Sequence, residues 1–177
     1  YIFKMCLLRL VASKIVTFIL KESSIMYSMN ERITAHFTKS KLHSIASYSP
    51  CKQYRYSLTR TNGKAKNSLL FILLNPSVAT ERKNDPTVIR CEKRALILGY
   101  QSFTICNLFA FRTNNPKIMK NFPDPIGPQN NLIIEENLII ADKVLCGWGN
   151  NGIHLKQAET VLNLIKITKT PPFHFGL

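Results

Sequence analysis

Acidic residues are scarce in this chain: ten Asp and Glu stand against 24 Lys and Arg over 177 residues, a formal net charge of +14. That balance predicts attraction to polyanions such as nucleic acid or an anionic membrane surface, with affinity that falls steeply as salt rises. The excess is uneven, because residues 1–60 carry a net +8 and residues 61–177 a net +6. Paired cysteines are missing as well. Cys6, Cys51, Cys91, Cys106 and Cys146 are odd in number, scattered and without a Cys-x-x-Cys pair. This argues against a disulfide framework or a metal site, and for a reducing, cytoplasmic compartment. No apolar run is long enough to cross a bilayer, since Lys4, Arg9, Lys14 and Lys21 interrupt the most apolar stretch. The same spread of charge departs from a signal peptide. A dinucleotide fingerprint and a phosphate loop with its lysine are also absent. The densest glycine cluster, Gly147-Trp148-Gly149-Asn150-Asn151-Gly152, has neither spacing, and no cofactor is expected.

What is present is enough for one domain with a real core, at 45% hydrophobic composition. Residues 1–29 are open to two readings. One is an amphipathic helix on a membrane surface, and the other is sequence translated upstream of a start at Met26 or Met29, since the chain begins with Tyr1. Met29 to Ser44 is polar and basic, and reads as a poorly ordered arm or short helix. Residues 1–45 are therefore expected to be an extension contributing little to the core, and residues 46–177 to form a single α/β domain.

Within that domain the stretch Ser68–Arg90 sets the pattern. Ser68-Leu69-Leu70-Phe71-Ile72-Leu73-Leu74 is a short continuous apolar run, which predicts a central strand buried on both faces. Pro76 cannot donate to a sheet ladder and biases Asn75 away from helix, so the chain leaves the sheet at Asn75, at the strand's carboxyl end. In open α/β sheets that end is where ligands bind. Asp85-Pro86 then opens a helix, as N-cap and first helical residue, with Val88, Cys91, Ala95 and Leu98 on its apolar face and Gly99 as its stop. Ahead of this, Tyr54, Tyr56 and Leu58 alternate with Arg55, Ser57 and Thr59, predicting a half-buried edge strand. Asn62-Gly63 predicts a hairpin joining it to the Leu69–Leu74 strand. Further on, Ser102–Cys106 and Lys143–Cys146 read as strands, Asn115-Pro116 and Gln129 to Ala141 as helices, and Leu155 to about Ile167 as the last helix. Strands alternating with helices argue a three-layer α/β/α sheet, short and largely parallel.

Several segments taken together resemble a bacterial family named domain of unknown function 1643. They are Tyr54-Arg55-Tyr56-x-Leu58-x-Arg60, Leu74-Asn75-Pro76-Ser77-x-Ala79, Asn84-Asp85-Pro86-Thr87-x-x-Arg90-Cys91, Asn107-Leu108-Phe109-Ala110-x-Arg112 and Asp124-Pro125-x-Gly127-Pro128-x-Asn130. A more distant similarity is to the uracil-DNA glycosylase superfamily. That likeness implies a water-positioning loop at Asn75-Pro76, an asparagine reading a flipped base at Asn107, and a glycosylase-like fold. Two departures accompany it: Leu73 or Leu74 replaces the glycine that normally precedes the loop, and the chain ends at Leu177 ahead of a C-terminal His-Pro motif. On that reading the domain lacks its last segment.

The functional expectation is a nucleotide-binding or nucleic-acid-binding pocket at the strand carboxyl ends, derived from a glycosylase-like hydrolase. The alternative is a binding module or inactive product without turnover. Asn75, Ser77 and Asp85 are the candidates for chemistry, although helix capping accounts equally well for Asp85. Pro76, Arg90, Asn107, Phe109, Arg112, Asp124, Asn130, Gly147, Trp148 and Gly149 are the candidates for contact with a ligand, with Arg90 and Arg112 on phosphate.

Overall fold

The computed structural model describes residues 31–63, 67–170 and 172–174. Both readings of residues 1–29 fall outside them. Among the described residues, seven strands form one mixed sheet: β1 (Ile33–Lys39), β2 (Leu42–Tyr48), β3 (Arg55–Asn62), β4 (Ser68–Leu73), β5 (Ser102–Asn107), β6 (Lys143–Gly147) and β7 (Pro172–His174). The helices are α1 (Pro86–Ile97), α2 (Pro116–Asn121), α3 (Asn130–Ile140) and α4 (Gln157–Thr168), with a 3-10 stretch at Asn150–Lys156. No helix among the described residues is long and apolar enough to cross a membrane.

Alternation along β4 explains the layering. Leu69 and Phe71 point to one face, where Val88, Cys91 and Ala95 of α1 cover them together with Phe103, Ile105 and Leu145. Leu70 and Ile72 point to the other face, against Met119 of α2, Ile134 and Leu138 of α3, and Val161 and Ile165 of α4. Each of these fully buried side chains contributes about 1.5–3 kcal/mol relative to exposure. The three layers follow from this one strand being apolar at every position from Leu69 to Leu73.

The strand order is β1-β2-β3-β5-β4-β6-β7. Three pairings are parallel, β5 with β4, β4 with β6, and β6 with β7, and three are antiparallel, β1 with β2, β2 with β3, and β3 with β5. The largely parallel sheet expected from the sequence is thus only half parallel. The predicted β3–β4 hairpin is likewise absent, because β5 lies between the two strands. The Asn62-Gly63 signal is local, and Gly63 does take φ +65. Which strand fills the neighbouring ladder is instead decided by burial: β5 is buried at all six positions and needs partners on both sides.

Two further corrections concern the sheet's first half. The stretch read as an arm or short helix is the β1–β2 hairpin, and a division at residue 45 would cut through β2, whose Ser44, Ala46 and Tyr48 are buried. And β3 is an interior strand, paired on both sides, with Arg55 only 2% and Arg60 only 3% exposed. A register shift carries Arg55 inward. Ser57 pairs with Ser47 but Arg55 pairs with Tyr48, so Tyr56 is the extra residue of a bulge. Bulges reverse the facing of everything beyond them. Tyr56 consequently packs with Ala110 and Ile133, on the α3 side, while Arg55 joins Leu58 and Arg60 on the α1 side.

The α1 boundaries agree with the sequence reading. Asp85 Oδ1 accepts from Val88 N at 2.9 Å, Pro86 begins the helix, and Gly99 at φ +82 follows its end. Leu98, expected on the apolar face, is 50% exposed because it already belongs to the cap. In the last helix the buried set is Gln157, Val161 and Ile165, while Leu155 sits before α4 in the kinked 3-10 stretch and is exposed.

A chain beginning at residue 46 should therefore unfold at clearly lower denaturant than one beginning at residue 31, because it loses β1 and half of β2 from the edge of β3. Urea titrations of the two, followed by far-UV circular dichroism, check this; equal midpoints would mean that the hairpin adds nothing to the core.

Candidate functional site

The chain crosses the sheet in two directions from β4. The connection through α1 to β5 runs over one face, and the next, through α2 and α3 to β6, runs over the other. The strand order reverses here, and a crevice opens at the carboxyl ends of the strands. A cavity of about 220 Å³ occupies it, lined by Leu73, Leu74, Asn75 and Ser77 after β4, Ile105 and Asn107 of β5, Gly147 of β6, Asp85, Thr87 and Val88 at the start of α1, and Arg55 of β3. Of the residues singled out from sequence, Asn75, Ser77, Asp85, Asn107 and Gly147 come together in this one pocket.

The two asparagines have different local roles. Asn75 donates its amide to Thr113 O at 2.7 Å and to Pro76 O at 3.3 Å, and Pro76 O accepts from Thr113 N at 2.9 Å. It ties the β4 loop to the loop after β5. Asn107 is only 2% exposed, and its Oδ1 has no partner within the protein. A buried carboxamide oxygen left unmet costs about 1–3 kcal/mol. Behind it, Asn130 at the start of α3 donates to Asn107 O and Leu108 O, both at 2.9 Å, fixing the end of β5. Leu108 N to Leu73 O (2.8 Å) and Phe109 N to Leu74 O (3.0 Å) prolong the parallel pairing past both strands.

Arg55 is the residue that sequence reasoning missed. Its Nη1 donates to Ala79 O at 2.7 Å, whereas its buried Nε has no partner and no carboxylate pairs with it. Burial pulls the guanidinium down to about 10, with Tyr48 and Asp85 acting in the opposite sense, so it stays cationic at neutral pH. Arg60, five residues on, is by contrast fully engaged: its Nη2 reaches Thr80 O and Asn84 Oδ1, both at 2.7 Å, its Nε reaches Asn84 Oδ1 at 3.1 Å, and its Nη1 donates to Ser44 Oγ. The two arginines hold the loop between β4 and α1 by its carbonyls. Nothing in the sequence marks the bulge that turns Arg55 into the pocket.

The remaining candidates lie outside it. Arg90 lines a neighbouring trough on α1, and Arg112 lines another beside Lys52, its guanidinium 5.3 Å from the Tyr48 ring centre and its Nη1 donating to Lys52 O at 3.1 Å. Asp124 closes a turn by accepting from Gly127 N at 3.0 Å. Gly127 has φ +86, and a Cβ there would come 2.8 Å from Tyr54 Cδ1, so this turn requires glycine. Phe109 is fully buried, its ring 5.6 Å from that of His154. Trp148 packs on the α3–α4 side of the sheet, close over Gly152, and Gly149 at φ +62 opens the 3-10 stretch. Asp124, Asn130, Phe109, Trp148 and Gly149 thus support the fold around the site. Among the described residues no group of three His, Cys, Asp or Glu stands close enough to hold a metal ion.

Fold and cleft together define a mixed-sheet α/β domain with a small polar pocket at the strand carboxyl ends. Residues 55–177 match the model of a family described as protein of unknown function (DUF1643), and the chain belongs to that family. Neither a curated protein nor a solved structure matches it.

The contrast between the arginines generates a prediction. Arg60→Met should cost about 2–4 kcal/mol, because it removes the partners of buried Ser44 and of half-buried Thr80 and Asn84. Arg55→Met should stay within about 1 kcal/mol of the parent, since relief from burying an unpaired cation offsets one orphaned carbonyl. Denaturant titration of both variants measures it; an equal loss would make Arg55 a structural residue only.

Proposed function

We propose that the pocket binds a nucleobase, as part of a nucleotide or nucleic acid. The observation that carries this reading is the Asn107 carboxamide, buried, lining the cavity and without a protein partner for its oxygen. A carboxamide offers a donor and an acceptor side by side, the pattern that complements the hydrogen-bonding edge of a base. Arg55 Nε adds a donor, and Asp85 an acceptor through the oxygen not used for capping. Leu73, Leu74, Val88 and Ile105 supply apolar walls for a planar ring. At about 220 Å³ the cavity is smaller than the roughly 300–1,000 Å³ of sites for drug-sized ligands, which suits one ring better than a whole nucleotide.

Binding is better supported than turnover. The Asn75 amide nitrogen is occupied by two carbonyls and one Asp85 oxygen by the α1 cap, so both side chains already serve the fold. The glycosylase-like ancestry belongs to the same proposal: it rests on the loop-end asparagines Asn75 and Asn107, while the half-antiparallel sheet departs from it.

Titration of the full chain with the four common ribonucleosides, followed by amide chemical shifts or calorimetry, tests the reading. One nucleoside should bind preferentially, Asn107→Ala should weaken it about tenfold or more, and Asn107→Asp, which replaces the donor by an acceptor, should alter the preference. Affinity for all four that is indifferent to Asn107 would remove the base from the pocket.

A further inference from the structure

Two troughs adjoin the pocket at the strands' carboxyl ends. Beside it, sharing Leu73, Thr87 and Gly147, runs a trough of about 560 Å³ with Phe71 and Leu73 in its floor and Arg90 and Lys93 among the residues that line it. On the other side, sharing Ser77, lies a trough of about 750 Å³ lined in part by Lys52, Arg112, Phe111 and Phe122. The rings of Phe111 and Phe122 stack at 3.8 Å and 13° and are both partly exposed. No carboxylate lines either trough. The first trough follows α1 from Thr87 to Ile97, so the order from trough to trough is cations over an apolar floor, a small polar pocket, then cations beside an aromatic pair.

We propose that the two troughs form a track for a single-stranded nucleic acid, which crosses both and delivers one base to the pocket between them. The inference rests on the base-pocket reading and extends it from a mononucleotide to a polymer. A free nucleotide carries its phosphate on one side of the base and would need only one basic trough. A strand carries phosphates on both sides, which matches Arg90 and Lys93 on one flank and Lys52 and Arg112 on the other. Partly exposed aromatic rings beside cations are an arrangement that can accept unstacked bases with little sequence preference. A duplex fits poorly, because its bases are paired and stacked away from so small a cavity.

The test is fluorescence anisotropy of the full chain with a labelled single strand of about ten nucleotides, the matching duplex, and an unlabelled nucleoside as competitor. The single strand should bind at least about tenfold more tightly than the nucleoside and more tightly than the duplex. Arg90→Ala with Lys93→Ala, and Lys52→Ala with Arg112→Ala, should each weaken strand binding more than nucleoside binding, and each pair should lower the slope of log affinity against log salt by about 1.4. Lys52→Ala and Lys93→Ala singly alter only exposed side chains and guard against a folding artefact. If the nucleoside binds but the strand gains nothing, or if strand binding ignores both pairs of substitutions, the track is refuted and the pocket reading survives. If the strand binds through both troughs but Asn107→Ala changes nothing, the track stands and the base pocket fails. Duplex binding as tight as the strand's overturns the proposal.

Discussion

Two buried guanidinium groups on β3 hold the rest of the site in place. The loop from Asn75 to Asp85 contains no regular structure, and its carbonyls would be unmet in the interior without donors from elsewhere. Arg55 and Arg60 supply them, at Ala79 O and Thr80 O. Arg60 is also bonded to Asn84, directly ahead of the Asp85 cap, so the start of α1 is tied to the sheet through a side chain. Both arginines reach the same face only because Tyr56 is bulged out of the β2–β3 ladder. One extra residue in a strand thereby decides which way the pocket's cation points.

The carboxyl edge shows how one residue type serves opposite ends. The amide nitrogens of Asn75 and Asn130 are engaged, the first closing the loop after β4 on the loop after β5, the second clamping the last carbonyls of β5, while Asn130 Oδ1 is buried without a protein partner. Asn107 sits between them with an open carboxamide oxygen. Rigid neighbours around an unmet polar group are what preorganisation requires, since the ligand then completes hydrogen bonds without reordering the protein. Arg55 repeats the pattern, with one nitrogen anchored and another open.

Charge divides along similar lines. Asp85 is the one acidic residue lining the pocket, and it faces a cation held at Arg55, whereas the flanking troughs are lined by cations and no carboxylate. Part of the chain's net +14 stands in these troughs, at Lys52 and Arg112 in one and Arg90 and Lys93 in the other. Arg82, by comparison, is spent locally, 3.6 Å from Glu81 and 5.6 Å from the Phe37 ring centre.

Much of the local architecture was legible in the sequence because it depends on near neighbours. The apolar run of β4, the Asp85-Pro86 and Asn115-Pro116 helix starts, the Gly99 stop and the departure of the chain at Asn75-Pro76 all follow from propensity, capping and proline geometry, and the structure has each of them. The meeting of Asn75, Ser77, Asp85, Asn107 and Gly147 could also be anticipated, since parallel strands end on one edge. Partnership between strands could not be read, because β5 enters between β3 and β4 through pairings 34 to 49 residues apart, and a hairpin signal at Asn62-Gly63 carries no information about that choice. Nor could the β1–β2 hairpin, whose polar residues look unstructured until β3 offers them a ladder. Residue order alone thus determined where the chain turns, starts helices and leaves the sheet. Only the tertiary structure decided that Arg55 faces the pocket, because a bulge is a property of two strands in register and not of either one.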